Sequence, residues 1–132
     1  ILDQVPQHYC SDETTLKIMV YHLMSWKVFW IVMGYGKGQF WRTADLIAEH
    51  SEAQIGSPVT YAYTRAQGRE LLEQHGFGVS DVWVDHIFPY HIPLYVRYLY
   101  KKEWYWNMLP QPVFRWLEKQ FGWHLCLEAS VK

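Results

Sequence analysis

The stretch "YTRAQGRELLEQHGFGVSDVWVDHIF", residues Tyr63–Phe88, changes its hydrophobic period once, and that change decides the fold. Thr64-Arg65-Ala66-Gln67 has the spacing of a capping box. The Thr64 hydroxyl can accept from the Gln67 amide, while the Gln67 side chain reaches back to the Thr64 amide. Ala66, Leu71, Leu72 and His75 then fall roughly on one helical face. Gly76 is predicted to stop the helix, with Phe77 packing back on its last turn. From there the period becomes two: Val82, Val84 and His86 share one side, and Asp81, Trp83 and Asp85 the other. That alternation predicts a strand over about Val79–Phe88.

Upstream, "LKIMVY" (Leu16–Tyr21) reads as a short strand. Its nearly continuous apolar run predicts cover on both faces, as in a parallel sheet. Ser25 is placed to cap a helix over Trp26–Tyr35, which "GYGKG" then ends. Thr43 is predicted to cap a second helix through about Glu52, with Leu46 and Ile47 on its apolar side. Gly56–Pro58 reads as a loop and Val59–Tyr63 as extended chain.

Downstream, Pro89 and Pro93 interrupt the pattern. The aromatic stretch Tyr95–Leu109 is expected to be helical in part. Pro112 suits a first helical position. Val113, Trp116, Leu117 and Gln120 recur at helical spacing, with Gly122 as the stop. "WHLCLEASV" is the last strand, with Leu125, Leu127 and Ala129 on one side. A helix between strands implies a crossover and a parallel pair. The expected fold is therefore α/β: three strands, two parallel and a last one antiparallel, with covering helices. Residues 1–14 read as a loose lead-in and 15–132 as one domain or fragment.

Half of the 132 residues are hydrophobic and the net charge is −1. That composition favours an ordered core over disorder and argues against a dedicated nucleic-acid binder. The 8 Trp, 10 Tyr and 6 Phe can build a thick core, a cavity or a partner surface. Cys126 lies in an apolar strand pattern and is expected to act as a small buried hydrophobe. Neither Cys10 nor Cys126 calls for an oxidising compartment. Val28–Met33 is far shorter than the roughly 20 residues that span a bilayer. A cytoplasmic location follows as the expectation. The chain opens on Ile1, not Met, which suggests a fragment.

"LKIMVYH", the helix and strand of Tyr63–Phe88, and "GWHLCLEA" (Gly122–Ala129) together resemble the C-terminal part of a class I S-adenosylmethionine-dependent methyltransferase of the type 11 kind. In that resemblance they match the fifth strand, the next helix and strand, and the antiparallel strand that closes a Rossmann-like sheet. The Tyr21–Trp41 segment is similar to an insert in bacterial members. The resemblance covers about Leu16–Val131. It implies the substrate-side part of an enzyme that binds a small-molecule methyl acceptor, with S-adenosylmethionine as cofactor of the complete protein. Methyl transfer there is an in-line displacement helped by positioning and desolvation. The family's glycine-rich loop after a first strand has no counterpart, nor has the acidic end of a second strand. "CSDETT" stands where an "LKPGG" turn belongs. No cofactor-binding residue carries over, and the chain alone is expected to be inactive and to hold no cofactor.

Tyr21 and His22 fall at the carboxyl end of the first strand, the edge where open α/β sheets bind ligands. A phenol and an imidazole there can orient a nucleophile or take its proton. Trp26, His86 and Tyr90 complete the predicted substrate-binding set. Asp85, His86 and His91 have a metal-like look, but the ligand set is incomplete and no metal is expected. Trp26, Phe29, Trp30 and Met33 recur at helical spacing and read as a core-facing stripe, with a lid over an apolar substrate as the sharper reading. Only Lys27 and Lys37 flank it, which disfavours a membrane surface. The mixed aromatic and basic run from Tyr95 to Tyr105 reads as a solvated helix with a buried aromatic face.

The alternative function is a non-enzymatic module binding a small apolar ligand or a partner protein through its aromatic surface. A homo-oligomer formed through exposed apolar surface is also expected.

Overall fold

The computed structural model of the chain describes residues 14–50, 61–95 and 97–131. It is α/β, with one four-stranded mixed sheet, not the three strands expected. The elements in chain order are β1 (Thr15–His22), α1 (Trp26–Gly34), a 3-10 turn (Phe40–Arg42), α2 (Thr43–His50), β2 (Ala62–Tyr63), α3 (Arg65–Glu73), β3 (Phe77–Asp85), α4 (Ile92–Tyr95), α5 (Trp104–Met108), α6 (Gln111–Phe121) and β4 (His124–Val131). The additional strand is β2, two residues long, in the stretch read only as extended chain. It pairs parallel with the end of β1, Tyr21 opposite Ala62 and His22 opposite Tyr63.

The sheet order is β2-β1-β4-β3. β4 runs antiparallel to both neighbours, placing Leu127 opposite Ile18 of β1 and Val82 of β3. β1 and β3 therefore point the same way and are joined only through β4. The register slips once, between Val79 and Asp81. That irregularity does not move the alternation that was read from Asp81 onward.

The capping box forms in full: the Thr64 hydroxyl accepts from the Gln67 amide and the Gln67 side chain accepts from the Thr64 amide. Gly76 follows the helix at φ +84, a conformation that costs glycine little and other residues more. α3 covers one sheet face. Leu72, Phe77, Val84, Leu125, Leu127 and Ala129 are buried there as one core, with Leu16, Ile18 and Val20 against it. Fully burying a leucine such as Leu125 or Leu127 contributes about 1.5–3 kcal/mol.

The opposite face corrects the expectation that β1 is covered on both sides. Lys17, Met19 and Trp83 are exposed there. An ion pair of 3.1 Å between Lys17 and Glu128 crosses from β1 to β4. Cys126 is likewise half-buried and free, not fully buried as the pattern suggested.

A second core lies beyond the carboxyl ends of β1 and β3. Val28, Ile31 and Val32 of α1 meet Leu46 and Ile47 of α2, together with Phe88, Ile92 and Trp123. α1 is capped by Ser25, whose hydroxyl accepts from the Val28 amide. Its facing differs from the sequence reading. Phe29, Trp30 and Met33 are exposed, while Lys27, Val28, Ile31 and Val32 are buried. The helix is apolar nearly all round, so hydrophobic period alone could not choose its inner face.

Smaller differences follow local chemistry. α2 starts at Thr43 itself, and its expected end near Glu52, with the Gly56–Pro58 loop and the start of Val59–Tyr63, lies outside the described residues. The lead-in 1–13 is likewise outside them. β3 ends at Asp85 and not Phe88, because His86 turns to φ +57. The Tyr95–Leu109 stretch is helical in part, as expected, holding α5 and the last residue of α4.

Candidate acceptor cavity

The chain leaves β1 at His22 and turns at once into α1, and it leaves β3 at Asp85 and crosses the same edge. The junction is held by backbone bonds: His22 N–H to Trp123 O at 2.8 Å, Trp123 N–H to His86 O at 2.8 Å, and Leu23 N–H to Tyr63 O at 2.8 Å. The carboxyl ends of β1, β2 and β3 are thus tied to the start of β4.

His22 is buried at this knot. Its Nδ1 lies 3.1 Å from the Gly122 carbonyl. A carbonyl only accepts, so Nδ1 carries the proton and Nε2 is the unprotonated nitrogen. Burial lowers the imidazole below its ordinary 6.5, the bond to Gly122 opposes that fall, and the Arg65 charge adds to it. Gly122 sits so close to the Asp85 and Glu118 carbonyls that a Cβ would collide with both.

Beside the knot opens a cavity of about 770 Å³. Leu23, Met24, Ser25 and Trp26, the residues directly after β1, form one wall. Ile87, just past β3, and Phe121, just before β4, form another. Tyr105, Trp106 and Leu109 on and after α5, with Phe40 of the 3-10 turn, complete it. No charged side chain lines it among the described residues.

The three hydroxyls in the lining already hold bonds within the chain. Ser25 caps α1, Thr43 donates to the Phe40 carbonyl, and Tyr105 accepts from Trp30 Nε1 at 3.2 Å. The Trp106 Nε1 is buried in this wall with no hydrogen-bond partner. A buried indole N–H usually finds one, and this donor has none among the described residues. The cavity suits an apolar molecule.

A second cavity of about 220 Å³ adjoins on the far side of Trp26, lined by Trp26, Lys27, Trp30, Tyr90, His91 and Glu103 among others. Lys27 is buried with its Nζ 4.4 Å from the Trp123 ring centre and 4.7 Å from that of Phe88. These are cation–π distances that hold an ammonium among rings.

The five predicted substrate residues scatter around this edge. Trp26 lines both cavities, and Tyr90 lines the smaller one. His22 lies under the edge, bonded to Gly122. Tyr21 stacks on Trp123 with centroids 4.4 Å apart, inside the second core. His86 lines neither cavity; it is exposed and stacks on His124 at 5.0 Å. No three His, Cys, Asp or Glu side chains among the described residues lie close enough to hold a metal.

Trp106 and Lys27 were not singled out from sequence. Lys27 had a signal, as the sole charge in the nine-residue helix "WKVFWIVMG". Trp106 had none, because its neighbours Trp104 and Tyr105 share its chemistry.

Gly34-Tyr35-Gly36-Lys37-Gly38 has the glycine spacing of a cofactor loop, but it follows a helix. Its amides are committed to that helix, Gly36 N–H to Ile31 O at 3.2 Å and Gly38 N–H to Val32 O at 3.1 Å. Phosphate and cofactor loops instead present free amides at a helix start. These glycine amides are therefore not free to hold a phosphate-like group. No helix among them is long and apolar enough to cross a membrane. No protein family, curated protein or solved structure matches the chain.

Proposed function

We propose that this chain is the substrate-side part of a cytoplasmic class I S-adenosylmethionine-dependent methyltransferase, and that the larger cavity takes its methyl acceptor. The observation that carries the reading is the cavity's position. Part of its wall is made by the residues that leave the carboxyl ends of β1 and β3, the edge at which open α/β sheets bind their ligands. The antiparallel β4 lends support, since the sequence resemblance implies a strand of that direction. The acceptor is an apolar small molecule, as the uncharged lining requires. S-adenosylmethionine is the cofactor of the complete enzyme and is held by residues beyond those described. What this part contributes is a dry wall and a fixed orientation.

The test is methyl transfer by the full polypeptide encoded by the reading frame that contains this sequence. Methyl-labelled S-adenosylmethionine is supplied with an organic extract of cells. Label entering the organic phase, lost on Trp26→Ala, supports the reading. Label that stays in the cofactor, while the protein still retains an apolar molecule from the extract, favours the non-enzymatic binding module.

A further inference from the structure

The mouth of the larger cavity is itself apolar. Met24, Phe29, Phe40 and Phe121 line the cavity and are exposed, Phe40 to 64%. They are therefore the lip. Next in sequence to lining residues stand Trp41, Met108 and Trp116, all exposed, Trp41 to 81%. Three separate segments thus present large apolar side chains around one opening, more than scattered surface residues require.

Within the wall-building segments the charges are cationic, with Asp45, Glu49, Glu103 and Glu118 just outside them. The two segments that build most of the wall, residues 23–43 and 104–117, contain Lys27, Lys37, Arg42 and Arg115 and no Asp or Glu, in a chain of net charge −1. Lys27 is buried, but Lys37, Arg42 and Arg115 are exposed, as are Lys101 and Lys102 just before α5. Arg42 reaches Glu49 at 3.8 Å and Arg115 reaches Glu118 at 2.6 Å. The Arg42 pair is exposed and weak, whereas Glu118 is buried and holds Arg115 more firmly.

Exposed Trp and Phe with flanking Lys and Arg are what lie well at the boundary of an anionic bilayer. α1 alone offered two flanking lysines and no such surface. The surface becomes visible only when the 3-10 turn, α5 and α6 meet around the opening.

We propose that this lip docks on an anionic lipid bilayer, so that the acceptor passes from the membrane into the cavity without crossing water. This rests on the reading of the cavity as an acceptor site and narrows the acceptor to a membrane-resident molecule.

The experiment is flotation of the purified chain with vesicles of phosphatidylcholine alone or with about one-third phosphatidylglycerol, the anionic surface being the attractive one. Binding to the anionic vesicles is expected, weakened about tenfold or more by Phe40→Ser with Trp41→Ser. Trp83→Ser, on the open sheet face, should leave it unchanged. Near-ultraviolet circular dichroism shows that each variant is folded.

Absence of flotation overturns the proposal. So does equal loss in the Trp83→Ser variant, which would mean general adhesion of apolar surface. Self-association in sedimentation that the Phe40→Ser, Trp41→Ser pair abolishes, without vesicle binding, would assign the lip to a second copy. No cofactor or acceptor enters this measurement. Its failure beside successful methyl transfer therefore removes the docking alone, and flotation without transfer removes the enzymatic reading alone.

Discussion

His22 and Gly122 work as one joint, and each responds to a different perturbation. A Cβ at Gly122 would strike two backbone carbonyls, neither of which can rotate away. Gly122→Ala is expected to cost about 2–4 kcal/mol, read as a lower urea midpoint at unchanged slope. His22 acts through pH. Its folded pKa lies below its unfolded value of 6.5, so the unfolded chain binds the extra proton first as pH falls. Stability from this group is full above 6.5 and is lost as pH drops from there toward the folded pKa. Urea midpoints at pH 8 and pH 5.5 should differ in the native chain, and the difference should shrink in His22→Gln. Trp106 offers a third residue-scale test. Trp106→Phe removes a donor that has no partner but also part of a buried, ring-packed indole, so a loss of about 1–2 kcal/mol is expected. Binding of an aromatic probe such as 2-naphthol, followed by fluorescence, should weaken several-fold, because the indole forms part of the wall. An unchanged affinity would leave the indole without a role in the cavity.

α1 shows where sequence reading of an element succeeds and where it fails. Its start at Trp26, its Ser25 cap and its end in "GYGKG" were all legible, because caps and glycines act over a few neighbouring residues. Its orientation was not. Trp26, Phe29, Trp30 and Met33 form a better apolar stripe than the face that is buried, and period is silent when both faces are apolar. What settles the facing is tertiary: Phe88, Tyr95 and Trp123 arrive from distant parts of the chain to enclose Lys27. The two facings make opposite predictions. Lys27→Ala is expected to destabilise by about 2–3 kcal/mol through lost packing and cation–π contact. Phe29→Ser, on the exposed face, should change stability by less than about 0.5 kcal/mol in thermal melts. The reverse order would return the aromatic stripe to the core. α3 and β3 were read more fully, since a capping box, a left-handed glycine and an alternating strand are all local devices. The two-residue β2 was not, for it exists only where β1 provides an edge.

At the scale of the molecule, sequence conveyed the class of fold and the edge that carries the cavity, but not the cavity itself. Tyr21 and His22 were sought at the carboxyl end of β1, and that is where the opening lies. The wall, however, is made by residues 60 to 100 positions apart, which no local pattern links. The same long reach governs how the sheet comes together. β4 is the fourth strand in chain order and yet stands between β1 and β3, which share no ladder of their own. During synthesis, β1 and β3 must leave the ribosome before the strand that joins them exists. Until it arrives, both expose unpaired backbone beside a surface rich in aromatic side chains, the state in which chains misassociate and chaperones are recruited. Closing such distant pairings is slow for topological reasons alone. The order of strands along the chain thus gives this protein a vulnerable interval at birth that its finished architecture conceals.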